Sequence, residues 1–279
     1  MSTTVDTTPI ARRKRNRVLL QTACIAVSLF MLIPIYLISL AALSTRESFN
    51  EFPLSLLPTN VSVDTLNAFL GSTGIFGALG NSLIVGAGTL LLSALIGVPA
   101  GYALARFTFP GKDPYQLFLL FTRALPIVVL SVPLARLFLT VDIYDTTYAV
   151  ILLHTALALP TTILISASVF LSVPVDVEEA ARLFGCSPLG AFGRVVLPMA
   201  LPGLAAASIF TFVMSWNEVL GASILTLDHR TLPAQVLSSL SDSPLAYRFA
   251  GGFALVIPSI IFIALMRRYL TNMWGSTIR

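Results

Sequence analysis

The stretch "EEAARLFGCSPLGAFGRVVLP", Glu178 to Pro198, is short, charged at its start and broken by glycine and proline, yet it sits among long apolar runs. Thr146–Val175 runs up to it and Val195–Asn217 leads away from it, and neither contains Asp, Glu, Lys or Arg. Val18–Thr45 and Phe249–Met266 are free of these residues too. A membrane-spanning helix needs roughly 20 consecutive apolar residues, and in hydrocarbon only a helix or a closed barrel satisfies its own backbone. These runs are long enough. The quoted stretch therefore reads as a polar connector between two spans of an all-α membrane protein.

Composition agrees. Only 11% of the 279 residues are charged and 56% are hydrophobic, against about 25% charged in a typical soluble domain. The formal net charge of +4 is not a nucleic-acid signal, because the basic residues gather at helix ends rather than on one soluble face. Cys24 and Cys186 lie in different settings and make no disulfide framework. Arg12, Arg13, Lys14, Arg15 and Arg17 precede an apolar run, as in a signal peptide. That run exceeds a signal core and no cleavage site follows it, so it reads as a retained first span.

Six spans are expected, near 18–43, 78–105, 115–138, 147–171, 201–222 and 249–271. They follow a basic N-terminal segment (1–17), enclose the loop 174–198 and precede a short tail (272–279). The bias of Lys and Arg in loops orients such a bundle. With the N-terminus in the cytoplasm, the cytoplasmic segments hold Arg12, Arg13, Lys14, Arg15, Arg17, Arg106, Lys112, Arg182, Arg194, Arg267, Arg268 and Arg279, 12 of the 17 basic residues. Both termini and the quoted loop are then cytoplasmic. No GxxxxGK[ST] loop is present. If ATP drives this protein, another chain binds it.

Local chemistry shapes the loop. Pro174 ends the fourth span, Asp176 is expected as a helix cap with Glu179 three residues on, and both carboxylates suit the positive helix end. Gly185 is expected as the left-handed stop, with Ser187 and Pro188 as the cap and first residue of a second helix. Leu189, Phe192 and Val196 then share a face. The result is a helix–glycine–helix knuckle. It fits a connector lying on the membrane surface and equally a plug for a groove in a soluble partner.

The spacing Glu179-Ala180-Ala181, three residues, Gly185, nine residues, Val195, one residue, Leu197-Pro198 resembles the EAA motif of permease subunits of bacterial carbohydrate ABC importers, with Val in place of Ile. "NSLIVGAGTLLLSALIGVPAGYALARFTFPGK" (Asn81 to Lys112) is similar to their second span and following loop, and "SWNEVL" (Ser215 to Leu220) to the end of their fifth. The layout is similar to the smaller, six-span permease of the maltose type, although the tail "NMWGSTIR" differs from that subunit's ending. The resemblance implies a bacterial inner-membrane protein that pairs with a second permease, two ATPase subunits holding ATP and Mg, and an extracytoplasmic solute-binding protein. It implies that Glu179, Ala180, Ala181, Arg182, Leu183, Gly185, Leu189, Phe192, Leu197 and Pro198 couple the bundle to an ATPase. No cofactor and no catalytic residue is then expected in this chain.

Within the spans, Trp216, Asn217 and Glu218 suit a sugar path, combining an aromatic face with amide and carboxylate groups. Trp216 alone would also serve as an interfacial anchor, and Glu218 as an interfacial residue close to water. Arg123, deep in the third span, is expected to face the bundle or a water-lined position. His154 is expected to hydrogen-bond between helices; neither it nor any other group forms a metal motif. Arg182 and Arg194 fit an ATPase face or anionic headgroups. A stand-alone secondary transporter or channel for a small polar solute is the alternative. It predicts internal repeats or discontinuous helices and leaves the knuckle without a purpose.

Overall fold

A computed structural model describes residues 8–45, 56–58, 60–240 and 243–275. Among the described residues the chain is all-helical, apart from one isolated bridge between Ser44 and Val61. The helices are α1 (Thr8–Ala42), α2 (Asp64–Leu70), α3 (Ile75–Arg106), α4 (Lys112–Thr122), α5 (Ile127–Thr140), α6 (Thr147–Ser172), α7 (Val175–Leu183), α8 (Pro188–Ala191), α9 (Leu197–Asn217), α10 (Leu220–Leu225), α11 (Leu232–Leu240) and α12 (Leu245–Gly275). Five of them are long and apolar enough to cross a membrane, and a sixth span exists if α4 and α5 count as one. The chain divides into two compact units, Met1–Phe69 with Pro244–Ala254, and Leu70–Ser243 with Leu255–Arg279.

In the first unit α1 stands apart, its side chains from Asn16 to Leu37 all exposed. Such a surface suits hydrocarbon. The segment after it is tied back by Ser62 N–H donating to Leu43 O at 2.7 Å. The Tyr247 hydroxyl donates to Ala68 O, and its ring meets Phe69 edge-on at 5.7 Å.

In the second unit α6 is the centre, with most of its apolar length buried. It packs along α3, and the two backbones come close because α3 carries glycine at the contact. A Cβ on Gly101 would lie 2.5 Å from Ser166 Cβ and 2.8 Å from the Ala167 backbone nitrogen. Small residues at helix crossings are the usual device for close packing in membranes. A cluster of Val85, Phe138, Ala149, Val150, Leu153, Ala222 and Leu225 closes one end of this core. Phe170, Val173, Val196 and Ala200 close the other.

Two expected spans are broken in the structure, and a third starts early. The third, 115–138, is not one rod: α4 and α5 meet at 91°. Pro126 holds an extended ψ of 136° as the cap of α5, and a residue before proline is driven out of the helical region, so the elbow forms over residues 123–126. The fifth, 201–222, stops at Asn217. Glu218 is extended (ψ 125°) and α10 starts afresh at Leu220. The second starts at Ile75, three residues earlier than expected.

Candidate coupling knuckle and solute cavity

The loop after α6 folds as two helices around a glycine. α7 begins after Pro174, which is extended and gives no side-chain cap. Asp176 therefore lies inside the first turn beside Glu178 and is not the cap that the sequence suggested. At the other end Gly185 takes φ +93°, a conformation open to glycine at little cost. The amides of Gly185 and Cys186 turn back to the carbonyls of Arg182 and Ala181 at 3.0 and 3.1 Å, closing the helix as expected. The Ser187 side chain accepts from Gly190 N–H at 3.1 Å, with Pro188 opening α8. Residues Phe192–Val196 then form a π turn that runs straight into α9, a rare backbone form that occurs often at functional sites.

The knuckle's tip is apolar and bare. Leu183, Phe184 and Leu189 are 88%, 92% and 83% exposed, far above what a residue of this kind shows inside a core. Glu179, Arg182, Gly185 and Pro198 are exposed as well, while Ala180, Ala181 and Leu197 are half-buried. The face expected from Leu189, Phe192 and Val196 is split. Val196 is fully buried, and Phe192 packs against Tyr102 and Phe170 with ring centroids 4.6 and 5.9 Å away. Phe192 and Val196, the two ends of the π turn, both belong to the bundle, while Leu189, before the turn, belongs to the tip.

The buried carboxylate of the knuckle is Glu178, not Glu179. Its Oε2 receives Arg106 Nε–H at 3.0 Å and its Oε1 receives the Tyr102 hydroxyl. Arg106 also donates from Nη2 to Val173 O at 2.8 Å. Nothing local in the sequence signals this pair. Arg106 is 72 residues away, and the only hint is a Glu-Glu doublet in a helix whose outer face needs just one carboxylate.

At the far end of α9 the two helix breaks come together. The elbow at Arg123 and the break at Glu218 line one cavity of about 690 Å³, with Thr122, Thr161, Phe210 and Asn217 also on its walls. The structure thus brings Arg123, Asn217 and Glu218 together around one cavity. Trp216 is not with them. It is 1% exposed, stacks on Phe212 at 5.8 Å and donates Nε1–H to Leu255 O at 2.9 Å. It is neither an interfacial anchor nor a cavity wall. One residue along a helix turns the side chain by about 100°, which carries Trp216 inward while Asn217 faces the cavity.

Glu218 is also less free than the sequence implied. Its Oε1 accepts from Gly221 N–H at 2.9 Å and its Oε2 from Ala222 N–H at 3.0 Å. The carboxylate satisfies the first amides of α10, groups that a new helix leaves unpaired. His154, fully buried on α6, lies with Nε2 3.0 Å from Glu218 Oε2 and Nδ1 2.8 Å from Ser215 Oγ. The expected interhelical role of His154 is met, and Glu218 is its unforeseen partner. Among the described residues no cluster of three or more His, Cys, Asp or Glu could hold a metal ion.

A second carboxylate that the sequence did not single out pins the loops. Asp145, at φ +56°, accepts the amides of Leu227, Asp228 and His229 at 2.7, 3.1 and 3.1 Å. Burial pushes its carboxyl up, but these three amides and the His229 side chain outweigh that and hold it below the ordinary carboxylate range.

The sequence and the overall fold place the chain among known proteins. Residues 97–273 match the family described as binding-protein-dependent transport system inner membrane component, and the chain belongs to that family. The trehalose transport system permease protein SugB of Mycobacterium tuberculosis is 31% identical over 92% of this chain and 94% of its own length. The arabinooligosaccharides transport system permease protein AraQ of Halalkalibacterium halodurans is 29% identical over 81% of this chain and 82% of its own length. Among solved structures, a chain of a bacterial ABC transporter involved in the import of the acidic polysaccharide alginate covers 92% of this chain and 98% of its own length. Its TM-score is 0.73 at 18% identity, a likeness of fold. The chain is thus a multi-pass permease subunit of an ABC importer, not an enzyme.

Proposed function

We propose that this permease forms half of a path for a di- or oligosaccharide-like solute, beside a second, different permease. Two ATPase subunits carrying ATP and Mg sit at the cytoplasmic face, where both termini and the knuckle lie. A solute-binding protein delivers the sugar from outside. The reading rests most heavily on the bare apolar tip, Leu183, Phe184 and Leu189, held out by Gly185 at one end of the bundle. Lipid gives such a short, polar-flanked projection little cover, whereas a groove in a soluble chain buries it. Glu179, Ala180, Ala181, Arg182, Leu197 and Pro198 frame this contact, and Phe192 supports it from behind.

The sugar class is carried over from the relatives named for trehalose and arabinooligosaccharides, and the cavity suits it. Arg123, Asn217, Thr122 and Thr161 offer polar groups beside the apolar faces of Phe210 and Met214, the mixture that hydroxylated rings need. The deciding experiment is purification of the chain with its neighbours in mild detergent, then uptake in vesicles. Recovery of an ATPase chain and a second permease, with ATP-dependent uptake of a saccharide, is the expected result. A complex that contains neither chain refutes the proposal.

A further inference from the structure

The knuckle has two covalent joints to the bundle: Pro174 joins it to α6, and the π turn joins it to α9. It has none to α3. Yet the last turn of α3 grips it. Glu178 takes bonds from both Tyr102 and Arg106, and the same guanidinium holds Val173 O at the end of α6. The side chains of Arg106 and Glu178 are only 7% and 10% exposed. Around them the rings of Tyr102, Phe107, Phe170 and Phe192 pack, Tyr102 lying 4.6 to 6.1 Å from the other three.

We propose that Glu178, Arg106 and Tyr102 form a tether that sets the angle of the knuckle and carries its displacement into α3. Two observations point beyond simple stabilisation. A buried ion pair contributes little stability compared with apolar side chains of the same volume, and an aromatic cluster already joins these elements. What the pair adds is direction. Leu183 lies five residues after Glu178, about 140° round the helix, so fixing Glu178 inward aims Leu183 outward. Glu178 is thus a positioning residue for transport, not part of the docking face. The inference rests on the importer reading above.

The test uses the complete transporter in proteoliposomes and compares wild type with Glu178→Ala and Arg106→Ala. The ATPase chain is expected to co-purify undiminished and ATP hydrolysis to continue. Solute taken up per ATP is expected to fall roughly two- to thirtyfold, the range to which a coupling change of about 0.5–2 kcal/mol converts. Glu178→Cys with Arg106→Cys, in a background of Cys24→Ser and Cys186→Ser, provides the rescue: a short reagent bridging the two thiols should restore most of the ratio. Unchanged uptake per ATP in both alanine variants overturns the tether. So does loss of the ATPase chain from them, or failure of the bridge to restore coupling. A wild-type preparation with no ATPase chain refutes the importer reading itself.

Discussion

One helix supplies two opposite outcomes for the same substitution. Gly77 and Gly101 both lie in α3. A Cβ on Gly77 meets nothing within 4 Å, whereas on Gly101 it meets Ser166 Cβ at 2.5 Å, Ala167 N at 2.8 Å and Ile163 O at 2.9 Å. Ordinary contact starts at 3.4 Å, so Gly101→Ala forces α3 and α6 apart by about 1 Å. A gap of that size forfeits about a quarter to a half of each dispersion contact along the seam. Two of the three obstructing atoms are backbone and cannot rotate away. The overpacking cost is then about 1–3 kcal/mol, against a gain of about 0.5–1 kcal/mol from replacing glycine in a helix. Gly101→Ala should lose about 1–2 kcal/mol net, and Gly77→Ala should gain about 0.5 kcal/mol. Adding Ser166→Gly removes the nearest obstruction but not the backbone pair, so less than half of the loss should return. Reversible unfolding of the detergent-solubilised chain by SDS, followed by circular dichroism, measures all three. A Gly101→Ala variant as stable as wild type would refute the close-approach argument.

Gly185→Val finds open space but must adopt φ +93°, a strain of about 1–2 kcal/mol. Membrane insertion should be normal while solute taken up per ATP falls, and normal uptake would count against the knuckle's role. Glu218→Ala removes three hydrogen bonds inside the bundle. At about 0.6 kcal/mol each for membrane interiors this costs roughly 2 kcal/mol, and uptake should drop with the ATPase still attached; loss of the ATPase would put Glu218 in the wrong half of the machine. The lowered carboxyl of Asp145 makes a pH-dependent contribution. A carboxyl held below its unfolded value stabilises above that value and stops doing so as pH falls through the folded one. Asp145→Asn should therefore lower the unfolding temperature at pH 7, with the gap from wild type closing in acid, below about pH 4. A gap of constant size between pH 7 and pH 3 would disprove the assignment.

The spans were legible because hydrocarbon imposes one rule on every residue in them, and charge-free runs record that rule directly. The knuckle was legible for a local reason: Gly185, Ser187 and Pro188 each fit one backbone conformation at their positions. What escaped was long-range. The Arg106–Glu178 pair joins residues 72 apart, and the His154–Glu218 contact joins residues 64 apart; neither leaves a periodic trace. The shared face expected of Leu189, Phe192 and Val196 failed at Leu189, because periodicity says which residues share a face but not where the bundle ends and the tip begins. The 91° elbow was hidden because Pro126 in an apolar run reads as a kink when the flanking residues are all good span formers. Of the cavity residues, Arg123, Asn217 and Glu218 were visible as polar groups at membrane depth. The direction of Trp216 was not, since neighbouring positions on a helix share composition but not orientation.

Residues Pro188 to Asn217 run on without a loop. At 1.5 Å per residue the 30 residues span about 45 Å, from the exposed tip to the wall of the cavity. A tilt of about 5° at one extremity displaces the other by about 4 Å. On the path proposed above, a shift of that size at the cavity wall changes what the cavity admits. On the coupling proposed above, a rocking of the foot reaches the far end by two routes at once, along this beam and through the grip of Arg106 and Tyr102 on Glu178.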